Sequence, residues 1–419
     1  MDTKSLFAAL KAVQCVNSAA SKAKDNAVVF TGGSLLASSA QSIFIEATQM
    51  PEDLNCQIHL APLMTVLDGV PSLESIEGTS MGGNNGTHAT IRFSPKKKVR
   101  LPIQPVELYP IDTRALNGYK KAMEVAVSSG TALIIPFTIL SSLLIETMRN
   151  MEAPQESEPF TSTVVLWITN GHILAGAGSA LRLVKSSGLA IESTFDDQIK
   201  LPRLIFTVLY QLLGMTDELS AFQLYIDDPH NPRLAVAKFA TMSIYFTINT
   251  TELQSEVMIQ YFGHLLTKYD EWAELEWFPV PETLREELLK MSALHPKMIE
   301  MQIENGQLRV SLPKDAAIDY YVNFDVPTQV SVPAFCLYPK VLASGLGQLS
   351  YFLPLFRDSG ELDTLLVSNG ITDGEAAFVI MFSVAPVSSG IKPVSSSEDA
   401  DDEVPFDIEI DDTIPEDDI

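Results

Sequence analysis

Histidines, cysteines and clustered carboxylates are the residues here that could do chemistry, and their spacing in this 419-residue chain does not assemble any. The six histidines are His59, His88, His172, His230, His264 and His295. None pairs with another His or Cys at the short intervals of a metal site. Cys15, Cys56 and Cys336 are far apart, without CxxC spacing. They read as buried small hydrophobes in a reduced compartment. No GxSxG, HExxH or Walker-type loop occurs. The Gly-rich Gly82-Gly83-Asn84-Asn85-Gly86 lacks a following Lys-Ser/Thr and reads as a loop. The sequence therefore predicts no catalytic residue, no metal and no cofactor. Binding is what remains, and the basic residues are the first candidates for it. Lys96-Lys97-Lys98 lies between strand-like runs and reads as an exposed hairpin turn. Lys4 and Lys11 are seven apart, near one face of a helix.

The elements that would position these groups repeat. Gln57-Ile58-His59-Leu60-Ala61-Pro62-Leu63, Gln198-Ile199-Lys200-Leu201-Pro202-Arg203-Leu204 and Gln329-Val330-Ser331-Val332-Pro333-Ala334-Phe335 have one shape. Their first residues stand 141 and 131 apart, the size of a whole domain. Each reads as a strand turning into a helix at its proline. Proline suits a first helical turn and pushes the preceding residue to extended geometry. After Pro202 the apolar residues Leu204, Ile205, Val208, Leu209, Leu212 and Leu213 follow helical periodicity. A second set of helices is expected from about Ser5, Phe137 and Pro281. Strands are expected at residues 27–30 and 34–47, 162–169 and 182–193, 300–312 and 320–325, with more after each corner helix. The fold class is α+β, with each unit reading helix, strands, helix, strands.

Two local motifs then carry a resemblance. Thr169-Asn170-Gly171-His172-Ile173-Leu174-Ala175 is similar to T-D-G-H-R-L-A, and Phe378-Val379-Ile380-Met381-Phe382-Ser383-Val384 to Y-V-V-M-P-M-R-L. Both patterns belong to the bacterial-type DNA sliding clamp, the β subunit of replicative polymerase, in its second and third domains. The chain resembles that family over roughly residues 1–386. Asn170 stands for Asp, Ile173 for Arg, and Phe382 and Ser383 for Pro and Met, as in a distant and phage-encoded member. The resemblance implies three tandem clamp-type domains at 1–125, 126–255 and 270–386. It also implies a head-to-tail homodimer that encircles double-stranded DNA in the bacterial cytoplasm and tethers DNA polymerase after a clamp loader has placed it. Two helices per domain would line the hole, with Lys4, Lys11, Lys22, Lys24, Arg149, Arg203, Arg285 and Lys340 facing DNA. A pocket for short partner peptides would be built from Thr169, Gly171, His172, Ile173, Leu174, Val379 and Met381.

Composition fits a globular body with an acidic appendage. The formal net charge is −25 and hydrophobic residues make up 46%, enough for domains of this size to bury their own cores. The sequence opens without a signal-like segment, and the apolar stretch 131–145 is short and broken by Pro136, so no membrane contact is expected. From Ser395 onward there are 12 acidic residues and no basic one, which leaves −13 on the rest. Such a block repels itself, and residues 387–419 are expected to be a disordered tail. The net charge argues against wrapping DNA by phosphate contacts, but a closed ring needs few of them. The rival reading is a clamp-fold decoy that does not encircle DNA and acts through the acidic tail.

Overall fold

Three tight hairpins mark the repeat. The pairs Gly32-Gly33, Asn170-Gly171 and Asn305-Gly306 all have positive φ at both positions, between 49° and 76°. That geometry belongs to the two-residue hairpin loop, which Gly and Asn adopt at least cost. The computed structural model describes residues 3–386 except 21–26, 39–42, 68–74, 79–87, 104–110, 152–158, 216–221, 295–297, 314–317, 371–376, parts of 254–273 and 338–349, and a few single positions. The acidic segment 387–419, with its expected tail, lies outside the described residues, as do the Gly82–Gly86 loop, Lys22, Lys24 and Lys340.

The first repeat runs α1 (Thr3–Ala20), β1 (Ala27–Thr31), β2 (Ser34–Ser38), β3 (Ile43–Ala47), β4 (Cys56–His59), α2 (Leu60–Leu67), β5 (Ser75–Gly78), β6 (His88–Ser94) and β7 (Lys97–Pro102). A further helix, α3 (Thr113–Ser129), follows. The second repeat has β8 (Leu133–Pro136), α4 (Phe137–Asn150), β9 (Thr163–Thr169), β10 (His172–Gly178), β11 (Arg182–Lys185), β12 (Leu189–Ala190) and β13 (Asp197–Pro202). It closes with α5 (Arg203–Leu212), β14 (Gln223–Ile226), β15 (Leu234–Lys238) and β16 (Met242–Thr247). The third has β17 (Phe278–Pro279), α6 (Leu284–Ala293), β18 (Ile299–Glu304), β19 (Gln307–Ser311), β20 (Tyr321–Asp325) and β21 (Val332–Leu337). It ends with β22 (Tyr351–Phe356), β23 (Leu362–Ser368), β24 (Val379–Ser383) and β25 (Ala385–Pro386). The architecture is α+β, three tandem clamp-type domains.

The sheets cross the repeat boundaries. One has the order β4-β1-β2-β3-β16-β15-β14-β8, so strands of the first and second domains form a single sheet. Its seam pairs Phe44 with Tyr245 and Ile45 with Ile244. Another runs β13-β9-β10-β11-β24-β23-β22-β17 and joins the second domain to the third, with Leu183 opposite Met381 and Lys185 opposite Val379. The remaining two, β20-β19-β18-β21-β25 and β5-β6-β7, stay within the third and first domains. Helix α1 forms because Leu6, Leu10, Val13 and Val16 fall on one face, and all four are buried. It packs against α5 of the second domain beneath the first shared sheet.

The corners follow the prolines in two of three repeats. At the first, β4 gives way to α2 with Pro62 in its opening turn. At the second, Pro202 is the N-cap of α5. The third expectation is corrected: Pro333 sits inside β21, with no helix starting at it. The β18–β21 ladder shifts register between Met301 and Ile303, and Pro333 falls at that irregularity. A bulge tolerates a residue without an N–H, so the strand continues through it.

Candidate functional site

The motif residues of the second domain start at a turn. Thr169 and His172 face each other across Asn170-Gly171, and the left-handed backbone of Gly171 (φ 74°) is one that a side chain would strain. The Nδ1 of His172 lies 3.1 Å from the Asn170 carbonyl oxygen. A carbonyl only accepts, so Nδ1 donates in this pair. His172 is half-buried.

Alternation along the strands sorts the other candidates. Across the second shared sheet the register runs Val165, Gly176, Lys185, Val379 and Ser368 on β9, β10, β11, β24 and β23. Residues two apart share a face. Thr169, His172, Leu174, Leu183, Lys185, Val379 and Met381 therefore stand on one face. Ile173 stands on the other, with Ala175, Val184 and Ile380, and is fully buried. That is a correction: Ile173 belongs to the core side and does not line a surface shared with His172 and Met381. Met381 and Thr169 are half-buried, while Leu174 and Val379 are buried. From His172 to Val379 is four residues along a strand and two strands across. That is about 16 Å, roughly the reach of five extended residues. The half-buried Leu253, Ile259 and Trp272, together with the buried Trp277, join the apolar cluster that contains Leu183, Val379 and Met381. Trp277 Nε1 donates to the Trp272 carbonyl at 2.8 Å.

The basic candidates separate. Arg149 is exposed in the last turn of α4. Lys11 is half-buried, with Nζ 3.3 Å from Gln14 Oε1 and 5.6 Å from the centre of the Phe7 ring. Lys4 is in α1. Arg285 is exposed, and its Nε donates to the Ala343 carbonyl at 3.3 Å. Arg203 is corrected: it is 8% exposed and its Nη1 donates to the Thr161 carbonyl at 3.3 Å. Its place one residue after the corner proline turns it inward. Lys96, Lys97 and Lys98 are exposed where β6 turns into β7. Among the described residues no group of three or more His, Cys, Asp or Glu could hold a metal, and no helix is long and apolar enough to cross a membrane.

Solved structures share this arrangement. The sliding clamp of Pseudomonas aeruginosa superposes with a TM-score of 0.62 at 13% identity, over 91% of this chain and 98% of that one. The fold is that of the bacterial sliding clamps. A putative DNA polymerase III β subunit of Eubacterium rectale gives 0.64 at 11% identity, covering 91% of this chain and 97% of its own. The β chain of Streptococcus pneumoniae DNA polymerase III gives 0.61 at 16%, over 91% and 98%. No protein-family model matches the sequence, and no curated protein matches it. The clamp fold is thus carried by a sequence that keeps few of its relatives' residues. Sequence reasoning missed Leu183 and Lys185, which the strand register places beside Met381 and Val379. Their signal lay in a contact between domains, not in any local motif.

Proposed function

We propose that this chain is one half of a processivity clamp: two copies close head to tail around duplex DNA and tether a DNA polymerase. The observation that carries the reading is a pair of strand edges. Within the chain, the last strand of each first-half sheet joins the last strand of a neighbouring domain's second-half sheet. β3 joins β16, and β11 joins β24. Among the described residues, β20 and β7 hold the same two places and are left as sheet edges. A second copy offers β7 to β20 and β20 to β7, which closes six domains into a ring with neither of these two edges left unpaired. The charges suit this pairing. β7 reads Lys97-Lys98-Val99-Arg100, while β20 ends in Asp325 and exposes Tyr321.

Double-stranded DNA would be held by enclosure, with Lys4, Lys11, Lys22, Lys24, Arg149, Arg285 and Lys340 as the basic lining. Thr169, Gly171, His172, Leu174, Val379 and Met381 would receive short peptides with apolar anchors from polymerase and clamp loader. The protein would do no chemistry of its own and would work in the bacterial cytoplasm, including during phage infection. The acidic C-terminal segment favours one rival, a clamp-fold decoy that does not enclose DNA.

Two measurements test the ring. The full chain should sediment at close to twice 45.9 kDa. Loaded on nicked circular DNA by a clamp loader, it should be lost when the circle is linearised. A monomer at every concentration, or retention on cut DNA, would overturn encirclement.

A further inference from the structure

Among the largest fully buried side chains of the described residues, Lys185 carries the one charge, at 0% exposure. A buried ammonium costs several kcal/mol unless it is hydrogen-bonded and neutralised. Its Nζ donates to the Ala377 carbonyl oxygen at 2.6 Å, across the seam between the second and third domains. Glu146 of α4 feels the Lys185 charge. Its carboxyl lies above the usual carboxylate range because burial pushes it up more than two hydrogen bonds from Ser187 and the Lys185 charge pull it down. Glu146 accepts from the Ser187 N–H at 2.6 Å and from the Ser187 hydroxyl at 2.9 Å, which holds the chain just beyond Lys185. On the β10 side the neighbour is Gly176, which has no side chain to compete for the space.

The seam needs such a contact. The β11–β24 ladder is four residue pairs long. Apart from Lys185 on one face and the buried Arg182 on the other, its side chains are apolar, with Leu183 and Val379 on the first face and Val184 and Ile380 on the second. Hydrophobic pattern then specifies register weakly. A slip of two residues would keep every side chain on its face yet move Val379 and Met381 by about 6.6 Å along the strand. A buried polar pair that fits at one register removes that freedom.

We propose that Lys185, with Glu146 as its counterion, is a positioning residue for the partner-peptide pocket: it locks the Ala377–Met381 segment at the register that presents Val379 and Met381 on the His172 face. This role rests on the pocket reading above, and the experiment separates the two. In the full-length protein, Lys185→Met keeps the stem and removes the ammonium, and Glu146→Gln removes the countercharge while keeping the shape. The readouts are amide hydrogen exchange at 377–383 and the affinity of a fluorescein-labelled peptide with Leu and Phe anchors. His172→Ala and Met381→Ala serve as pocket controls.

Exchange at 377–383 should quicken in both charge variants, and peptide affinity should fall about tenfold. The double variant should be no worse than the worse single, because the two residues act as one unit. Unchanged exchange overturns the proposal. So does weakened binding without faster exchange, since Lys185 would then touch the peptide directly. Unchanged affinity in Lys185→Met and Glu146→Gln, beside a loss in His172→Ala and Met381→Ala, overturns the positioning role and leaves the pocket standing. Unchanged affinity in His172→Ala and Met381→Ala overturns the pocket itself. If Lys185→Met does not fold, Glu146→Gln carries the same comparison.

Discussion

Cys56 shows how far a buried side chain here departs from its behaviour in water. It is 1% exposed in β4, and burial pushes its thiol pKa up to about 11 from 9.0. Burial also pushes up Cys15 and Cys336, both half-buried. At pH 8 a thiol of pKa about 11 is roughly one part in a thousand thiolate, against about one in ten at pKa 9, and the thiolate is what reacts. In the native protein Cys56 should therefore react with a thiol reagent at least ~100-fold more slowly than in urea. Peptide mapping after timed alkylation checks this, and equal rates in both states would show that β4 opens readily. The linkage has a definite sign. The folded pKa lies above the unfolded one, so this group's contribution to stability is whole below about pH 9 and is lost as pH rises through about 11. Another buried ionisable group, Lys185, was hidden from the sequence. A lysine in an alternating strand reads as solvent-facing, and its partner Ala377 lies 192 residues away.

At the scale of elements, α3 is the least expected part and lies across the anticipated boundary at 125/126. Asp112 caps its start by accepting from the Ala115 N–H at 2.9 Å, and Gly130 in the left-handed conformation ends it. Its Leu116 and Met123 pack with Val29, Leu36 and Phe44 from the first domain and with Leu234, Val236 and Tyr245 from the second. Tyr119 meets Phe44 with ring centroids 5.6 Å apart, and Lys120 pairs with Glu46 at 2.5 Å. The helix thus braces the β3–β16 seam. Met123→Ala should cost about 2–5 kcal/mol. It should also quicken hydrogen exchange at 43–47 and 242–247 more than at 163–169; a uniform rise would mean that α3 stabilises the fold without bracing the seam. Helix α3 was not foreseen, because its apolar side is narrow. That side has meaning only against a sheet made by two domains. Helix α5 was legible because Ile205, Val208, Leu209 and Leu212 form a wide stripe and all are buried. The strand ending at Thr169 was legible because its apolar run is local. Pro333 misled because the bulge that accommodates it is set by β18, thirty residues upstream.

At the scale of the whole molecule, the question is how a chain of formal net charge −25 approaches a polyanion. Twelve of the acidic residues fall in 395–419, and removing that segment leaves −13. Repulsion between the segment and DNA acts over a Debye length, about 30 Å at 0.01 M salt and about 8 Å at 0.15 M. Deleting 395–419 should therefore speed or tighten DNA association at low salt, with the gain fading as salt is raised. An enclosing ring makes few phosphate contacts, so the salt slope of the truncated protein should itself stay shallow. The same deletion tests a different use of the segment. Phe406, Ile408, Ile410 and Ile414 interrupt the acids at near-regular spacing, as in a peptide read by a partner. Association rates of the full and truncated chains at two salt concentrations decide between the two uses. Equal rates at both would remove electrostatic repulsion as the segment's role and leave docking, which would then appear as the loss of one protein contact on truncation.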